Sequence, residues 1–572
     1  MSASIRLLEN VPFEMRDGIL LRADVYLPKG SGKFPAILIR TPYNKEHFDQ
    51  GLFSPLTYAR AGYAVVVQDI RGRYASEGMW ERTRMFEVEA VDGYDSVEQI
   101  ALQPWSNGKV AMAGGSYLTA MQWIAAMANP PHLKAFTPYI GDISPHIGPP
   151  PETGAVSFYS VANALPLTAL DLVDKLEQNG EDLSELRQHL ERAIRDPNWV
   201  IHYLPFKDIP FARYEPIRLM LEQRLHPPSR EEILKRKRYE KIRIPGMHIG
   251  GWFDQLEQAI FTNYLKVKEL AGSEYARNSQ HLLVGPWDHG NIRSFLGNVE
   301  FGPSAADEIA LKKYLIQFYD RYLMDKEIVI PSVRYFVMGR NEWRTSEEWP
   351  LPNTDWQTWF FHSGGRANTR RGDGVLNRKP PSSEPTDVFL YDPLQPVPTV
   401  GGKLLPMAGM VPGPVDQSII EKRNDVLCYT SDELEADLEV TGPLEICLYA
   451  STSAKDKDFT AKLTDVWPDG RSILVAEGIQ RASYRNWNYE KERIKPDTVL
   501  EYTISLGHTS HVFRKGHRIR VQISSSNFPL YDRNMNTGRS MGEDVTGVIA
   551  RQTIYHDEQY PSHIVLPVIH ES

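Results

Sequence analysis

The chain has 572 residues, enough for about three or four domains at roughly 150 residues each. Lysine and arginine total 64 against 73 aspartates and glutamates, a net charge of −9, and this acidic excess argues against a surface built to coat nucleic-acid phosphates. Hydrophobic residues reach 41%, too many for a disordered chain, and no window approaches the ~18 uninterrupted apolar residues of a membrane span.

The N-terminus, MSASIRLLENVPFEMRDG, lacks the apolar run of a signal peptide, so the expected setting is cytoplasmic. Residues 10–28 alternate in polarity on both sides of Arg16-Asp17-Gly18, a hairpin signal. FPAILIR (34–40), YAVVVQDI (63–70) and KVAMAG (109–114) are continuous apolar runs, as parallel strands covered on both faces require. Helical stretches near 53–61 and 86–102 separate them, which implies a parallel sheet flanked by helices.

From about 142 to 243 the character changes. ISPHIGPPPETGAV opens the segment, and DLSELRQHLERAIRD (182–196) and SREEILKRKRYEKIR (229–243) read as helices. Strand-like runs resume with IPGMHIGG (244–251) and QHLLVG (280–285), and a helix occupies about 305–323. The helical segment is therefore an insertion into the sheet domain. Beyond about 350, short runs such as WQTWFFH, DVFLYD, LEICLYAS, FTAKLTDVW and HRIRVQISSS are divided by turn residues, the pattern of a β-sandwich. The expected organisation is an α/β core over 1–141 and 244–350, a helical cap over 142–243 and a sandwich over 351–572. Cys428 and Cys447 read as buried small apolar residues rather than a disulfide.

Four G-x-S tripeptides occur, and only Gly114-Gly115-Ser116 lies between an apolar strand and a helix (YLTAMQWIAAMA). That context is a nucleophile elbow; a plain helix N-cap is the simpler alternative for Ser116. A serine hydroxyl needs a histidine to take its proton and an acid to orient that histidine. In chain order, GGWFD ends a run at Asp254 and GPWDHG ends another at His289, separated by enough chain for one crossover helix. Asp288 adjoins His289, but adjacent side chains diverge. His248 lies inside a strand and reads as a core histidine. Tyr117 supplies the amide after the nucleophile, one oxyanion donor, and Tyr43 in ILIRTPYNK offers a phenol as the second. Asp456 and Asp458 read as a solvated turn, and His508 and His511 as a polar sandwich loop. No P-loop, HExxH or EF-hand motif is present.

With these residues in view, the sequence resembles the cocaine esterase family, within the X-Pro dipeptidyl-peptidase-like serine hydrolases. The likeness rests on RTPYNK (40–45), QDIRGRYASEG (68–78), GGSYLTAMQW (114–123), GGWFDQ (250–255), GPWDHG (285–290), FVMGRNEWR (336–344), TSAKDKDFTAKLTDVWPDGR (452–471) and VQISSSNFPLYDRNMNTG (521–538). It implies an α/β-hydrolase core, an inserted helical cap and a C-terminal jelly-roll sandwich. It also implies Ser116 as nucleophile, His289 as base, Asp254 as its orienter, and Tyr43 with the Tyr117 amide as the oxyanion hole; a homodimer is compatible with it.

Three departures bear on the substrate. Thr119 stands where the pattern G-x-S-Y-x-G has its last glycine, one turn inside the elbow helix, where packing is the expected effect. The related α-amino-acid ester hydrolases hold a substrate ammonium with acids shortly after the triad aspartate; here Gln255, Leu256 and Glu257 follow, at most part of such a cluster. Leu256 also occupies an aromatic acyl-pocket position, and Pro406 replaces another pocket aromatic.

The resulting expectation is a serine hydrolase of small-molecule carboxylic esters, aromatic or bulky acyl groups included, that uses no metal or cofactor and touches neither nucleic acid nor membrane. Two alternatives stay open. One is an amide-cleaving acylase or X-Pro-type peptidase with the same triad, and the other is a catalytically silent binding protein.

Overall fold

The computed structural model describes residues 5–48, 51–80, 84–143, 153–225, 230–406, 409–486 and 491–570. The alternating segments around Asp17-Gly18 form an antiparallel hairpin, β1 (Arg6–Glu14) and β2 (Leu20–Leu27). The apolar runs become β3 (Phe34–Thr41), β4 (Ala64–Asp69), β5 (Ser106–Gly115), β7 (Gly246–Gly251) and β8 (Gln280–Gly285); a further strand that the sequence does not mark, β6 (Leu133–Tyr139), pairs between β5 and β7. Every residue of β4, β7 and β8 is buried, which is why these strands show no alternation. A short hairpin, β9 (Phe295–Leu296) and β10 (Val299–Glu300), precedes β11 (Val333–Val337) and β12 (Glu342–Ser346). The core sheet runs β1-β2-β4-β3-β5-β6-β7-β8-β11-β12. The order reverses beside β3, and at such a switch point the carboxyl ends of neighbouring strands open a crevice.

Between β6 and β7 lie the helices Phe158–Gln178, Ser184–Arg195, Pro197–His202, Glu215–Leu225 and Arg230–Arg236. The first has no counterpart in the sequence reading. It carries Pro166 in its interior and buries Val161, Leu165, Ala169 and Val173 along one stripe. The charged segment 229–243 was expected to be one helix, yet the helix stops at Arg236. Beyond it Tyr239 and Ile242 turn into the core beneath the sheet, so the chain leaves the helical path. Residues 144–152 of the opening stretch lie outside the described residues.

The C-terminal jelly-roll has eleven described strands, from Asp355–His362 to His563–Ile569, around its own apolar core. It joins the core sheet where the Met338 amide donates to the Ser510 carbonyl (2.9 Å) and the Val512 amide donates to the Met338 carbonyl (2.9 Å). It joins the cap where the Val156 amide donates to Asp532 (2.9 Å). Among the described residues, no helix is long and apolar enough to cross a membrane.

Three sandwich expectations are corrected. Asp456 and Asp458 are not solvated: Arg481 donates to both Asp458 oxygens (2.8 Å each), Ser483 donates to Asp456, and the turn folds inward around these pairs. His508 and His511 sit in the strand Leu500–Phe513, not in a loop. His508 stacks on Phe261 (4.0 Å between centroids), and burial pushes its imidazole down to about 3. Cys428 is buried, but Cys447 is half-buried because Ile446 and Leu448 take the inward positions of its strand; both are free thiols.

Candidate active site

The five candidate residues all follow carboxyl ends of core strands: Tyr43 after β3, Ser116 after β5, Asp254 after β7 and His289 after β8, with Tyr117 opening the elbow helix Tyr117–Ala128. Ser116 has φ 59° and ψ −121°, a conformation a non-glycine residue holds only where its surroundings impose it. The two preceding glycines make the turn feasible. A Cβ on Gly114 would stand 2.7 Å from Leu118, and one on Gly115 2.8 Å from Tyr139. The Ser116 amide donates to the Tyr139 carbonyl (2.9 Å), tying the elbow to the neighbouring strand.

His289 Nε2 lies 3.0 Å from Ser116 Oγ, and its Nδ1 lies 2.9 Å from Asp254 Oδ1. Asp254 is fully buried, and the Leu256 amide donates to the same oxygen (2.9 Å). An imidazole that donates Nδ1–H to this carboxylate presents Nε2 as an acceptor towards the hydroxyl. Asp288 faces elsewhere: it pairs with Arg293 and accepts from the Asn291 amide. His248 contacts Gln280 (3.0 Å) inside the sheet, and burial pushes it down to about 4.

Tyr43 is 43% exposed, with its ring edge-on to Tyr117 (6.4 Å between centroids). Its loop is pinned: the Tyr43 amide donates to Thr41 Oγ1 (3.0 Å) and the Lys45 amide to Asp69 Oδ1 (2.8 Å). Burial pushes the Asp69 carboxyl up to about 6.

Residues 17–291 match the X-Pro dipeptidyl-peptidase (S15 family) profile, and residues 330–565 match the X-Pro dipeptidyl-peptidase C-terminal non-catalytic domain. Cocaine esterase from Rhodococcus sp. (strain MB1 Bresler) is 37% identical over 583 residues, 98% of this chain and 98% of its own. The chain belongs to the cocaine esterase family. It is a serine ester hydrolase. Two solved structures share the fold. An aminopeptidase from the marine sediment archaeon Thaumarchaeota archaeon has a TM-score of 0.78 at 25% identity, over 100% of this chain and 97% of that one. An α-amino acid ester hydrolase has a TM-score of 0.73 at 24% identity, over 99% and 97%.

Within this cocaine esterase family member, the unusual positions have defined surroundings. Thr119 is buried; its hydroxyl donates to the Tyr139 carbonyl (2.7 Å) and accepts from the Tyr139 amide (3.1 Å), bracing the strand that holds Ser116. Glu257 is fully engaged. Lys403 Nζ stands 2.7 Å from one of its oxygens, and the His508 amide donates to the other (2.8 Å). Burial pushes this carboxyl up, against the pull of the Lys403 ammonium. Lys403 in turn donates its backbone amide to Glu477 (2.7 Å), so the pair fastens the core to the sandwich. Gln255, beside Asp254, accepts from Ser160 of the cap (2.6 Å). Leu256 is buried and Pro406 half-buried. The sequence carries no signal for the Glu257–Lys403 or Gln255–Ser160 contacts, whose partners lie 146 and 95 residues apart.

Proposed function

We propose that the protein hydrolyses carboxylic esters of small molecules through an acyl-enzyme on Ser116. Ser116 Oγ attacks the ester carbonyl while His289 Nε2 takes its proton. The tetrahedral oxyanion accepts hydrogen bonds from the Tyr43 hydroxyl and the Tyr117 amide. His289 then protonates the departing alkoxide, the C–O bond breaks, and the acyl group stays on Ser116. Water, deprotonated by His289, attacks that acyl ester; the acid leaves, and the proton returns to Ser116. Asp254 holds the imidazole in its working tautomer throughout. These steps use only side chains, backbone amides and water.

The observation that carries this reading is the Ser116–His289–Asp254 relay at 3.0 and 2.9 Å, built on a strained elbow. The full engagement of Glu257 with Lys403 supports acyl groups without a free α-amine. Leu256 and Pro406 in place of aromatics support a differently shaped acyl pocket from that of the cocaine esterase, with aromatic or bulky acyl groups in range. The composition supports a cytoplasmic location, and the family likeness supports a homodimer, which light scattering reads directly.

The test is turnover of p-nitrophenyl esters of graded acyl size by the wild type and Ser116→Ala, with the intact mass of each protein. Turnover lost in the variant, with an acyl adduct on the wild type alone, supports the proposal. Turnover retained in Ser116→Ala refutes it. Matching anilides test amide cleavage, the reading that likeness to an aminopeptidase favours.

A further inference from the structure

We propose that Arg73 is a positioning residue that locks the peptide unit before Tyr43 and couples that lock to the cap. The proposal rests on the oxyanion role of Tyr43 given above. Arg73 is only 1% exposed, an unusual place for a cation. Its Nε donates to the Pro42 carbonyl (3.1 Å), while the amide of the same Pro42–Tyr43 peptide donates to Thr41 Oγ1 (3.0 Å). Both polar groups of one planar peptide unit are therefore held, so its plane cannot rotate freely. That plane fixes the N–Cα bond about which Tyr43 sets its side chain.

The other end of the guanidinium reaches the cap helix Phe158–Gln178. Nη1 donates to the Thr168 carbonyl (3.1 Å) and lies 3.1 Å from Asp171 Oδ2. Burial pushes the Asp171 carboxyl up, and the Arg73 charge opposes that shift. The guanidinium also lies over the Trp80 ring (4.7 Å), and the Trp80 indole donates to the Tyr117 hydroxyl (3.3 Å). A second tether joins the same two segments, from Lys175 Nζ to the Ser76 carbonyl (3.0 Å). Only a planar fork of donors can meet a loop carbonyl, a helix carbonyl and a carboxylate while stacking on an indole. The cap's seating thus reaches the oxyanion donor through one side chain.

The experiment compares Arg73→Met, Arg73→Lys, Thr41→Val, Tyr43→Phe and the Arg73→Met/Tyr43→Phe pair on one p-nitrophenyl ester, reading kcat and KM separately. Tyr43→Phe should lower kcat by about 10²-fold or more, the scale of losing one oxyanion donor. Arg73→Met should lower kcat by about tenfold or more with KM changed less than about threefold, because the lost interaction matters in the transition state. Arg73→Lys should not rescue it. The double variant should be no slower than Tyr43→Phe alone, within about threefold, since both act on one donor. Thr41→Val frees the same peptide from its other side and should reproduce the kcat loss, which keeps the test open if Arg73→Met fails to fold. Multiplicative losses in the double variant, or normal kcat in both Arg73→Met and Thr41→Val beside a slow Tyr43→Phe, overturn this proposal alone. Normal kcat in Tyr43→Phe overturns the oxyanion role of Tyr43 and this proposal with it.

Discussion

Lys403→Met should loosen the seam between core and sandwich in a strongly pH-dependent way. In the native protein Lys403 Nζ sits 2.7 Å from Glu257 Oε2, with side-chain exposures of 8% and 1%, and it also donates to the Leu506 carbonyl (3.1 Å). Without the ammonium, the buried Glu257 carboxylate has no cation, and its least costly escape is to take up a proton. For a carboxyl whose ordinary value is 4.5, that costs about 4 kcal/mol at pH 7.5 and about 1.4 kcal/mol at pH 5.5, at roughly 1.36 kcal/mol per pH unit. The first figure agrees with the ~3–5 kcal/mol typical of breaking a buried pair from one side. The lost bond to Leu506 adds about 1 kcal/mol at either pH. The sign follows from linkage: the variant's native state holds a proton its unfolded state releases, so stability falls as pH rises above 4.5. Hydrogen exchange over residues 500–513, which include the His508 amide bound to Glu257 (2.8 Å), reads the opening of this seam. Relative to wild type, whose own Glu257 is already raised by burial, Lys403→Met should lose up to about 3 kcal/mol more protection at pH 7.5 than at pH 5.5, and Glu257→Gln/Lys403→Met should abolish that difference. An equal loss at both pH values would refute the reasoning.

Asp254→Asn should reduce ester kcat by about 10³–10⁴-fold through the wrong imidazole tautomer, whereas Asp288→Asn, whose partner is Arg293, should leave it within a few-fold; steady-state turnover separates the two. Thr119→Val removes a hydroxyl bonded to both Tyr139 backbone groups, so the urea midpoint should fall by the equivalent of about 1–3 kcal/mol. The Ser116 amide bond remains, and kcat should change far less than stability. His248 and His281 are held near 4 by burial against an ordinary value of 6.5. Each should withdraw about 3 kcal/mol of stability as pH falls from about 6.5 to 4, and His248→Gln should flatten part of that decline in midpoint against pH. His556 has the opposite sign. Asp387 and Glu384 raise it despite burial, so its contribution is complete below pH 6.5 and is lost as pH rises through its folded value. His556→Gln should therefore be more damaging at pH 6 than at pH 9 in the same assay.

Five of the core strands and the four loops that carry the candidate triad and oxyanion residues were legible because they obey local rules; β6, interrupted by Lys134, Thr137 and Pro138, was not. A strand buried on both faces must be apolar throughout, and an elbow needs small residues ahead of its serine. The cap was legible only in part. The helix Phe158–Gln178 carries a proline and an apolar stripe whose burial depends on the sandwich as well as the core, through contacts such as Phe158 on Phe528 (5.9 Å). The acidic residues of TSAKDKDF misled for a related reason: four charges in eight residues read as solvated until Arg481, a separate strand's cation, is brought against Asp458.

What the sequence determined by itself was the order of the candidate triad: a serine on a tight turn, then an acid, then a histidine, each closing an apolar run. Those features are local in the chain, and a parallel sheet follows from their alternation with helices, while its strand order is a tertiary fact. Only the tertiary structure decided what the remaining charges do. Glu257 serves as an interdomain tie rather than a free acid, and Arg73 joins a loop to the cap, because each partner lies about a hundred residues or more away. A buried charge takes its role from whichever countercharge the fold delivers to it, and no spacing along the chain records that distance.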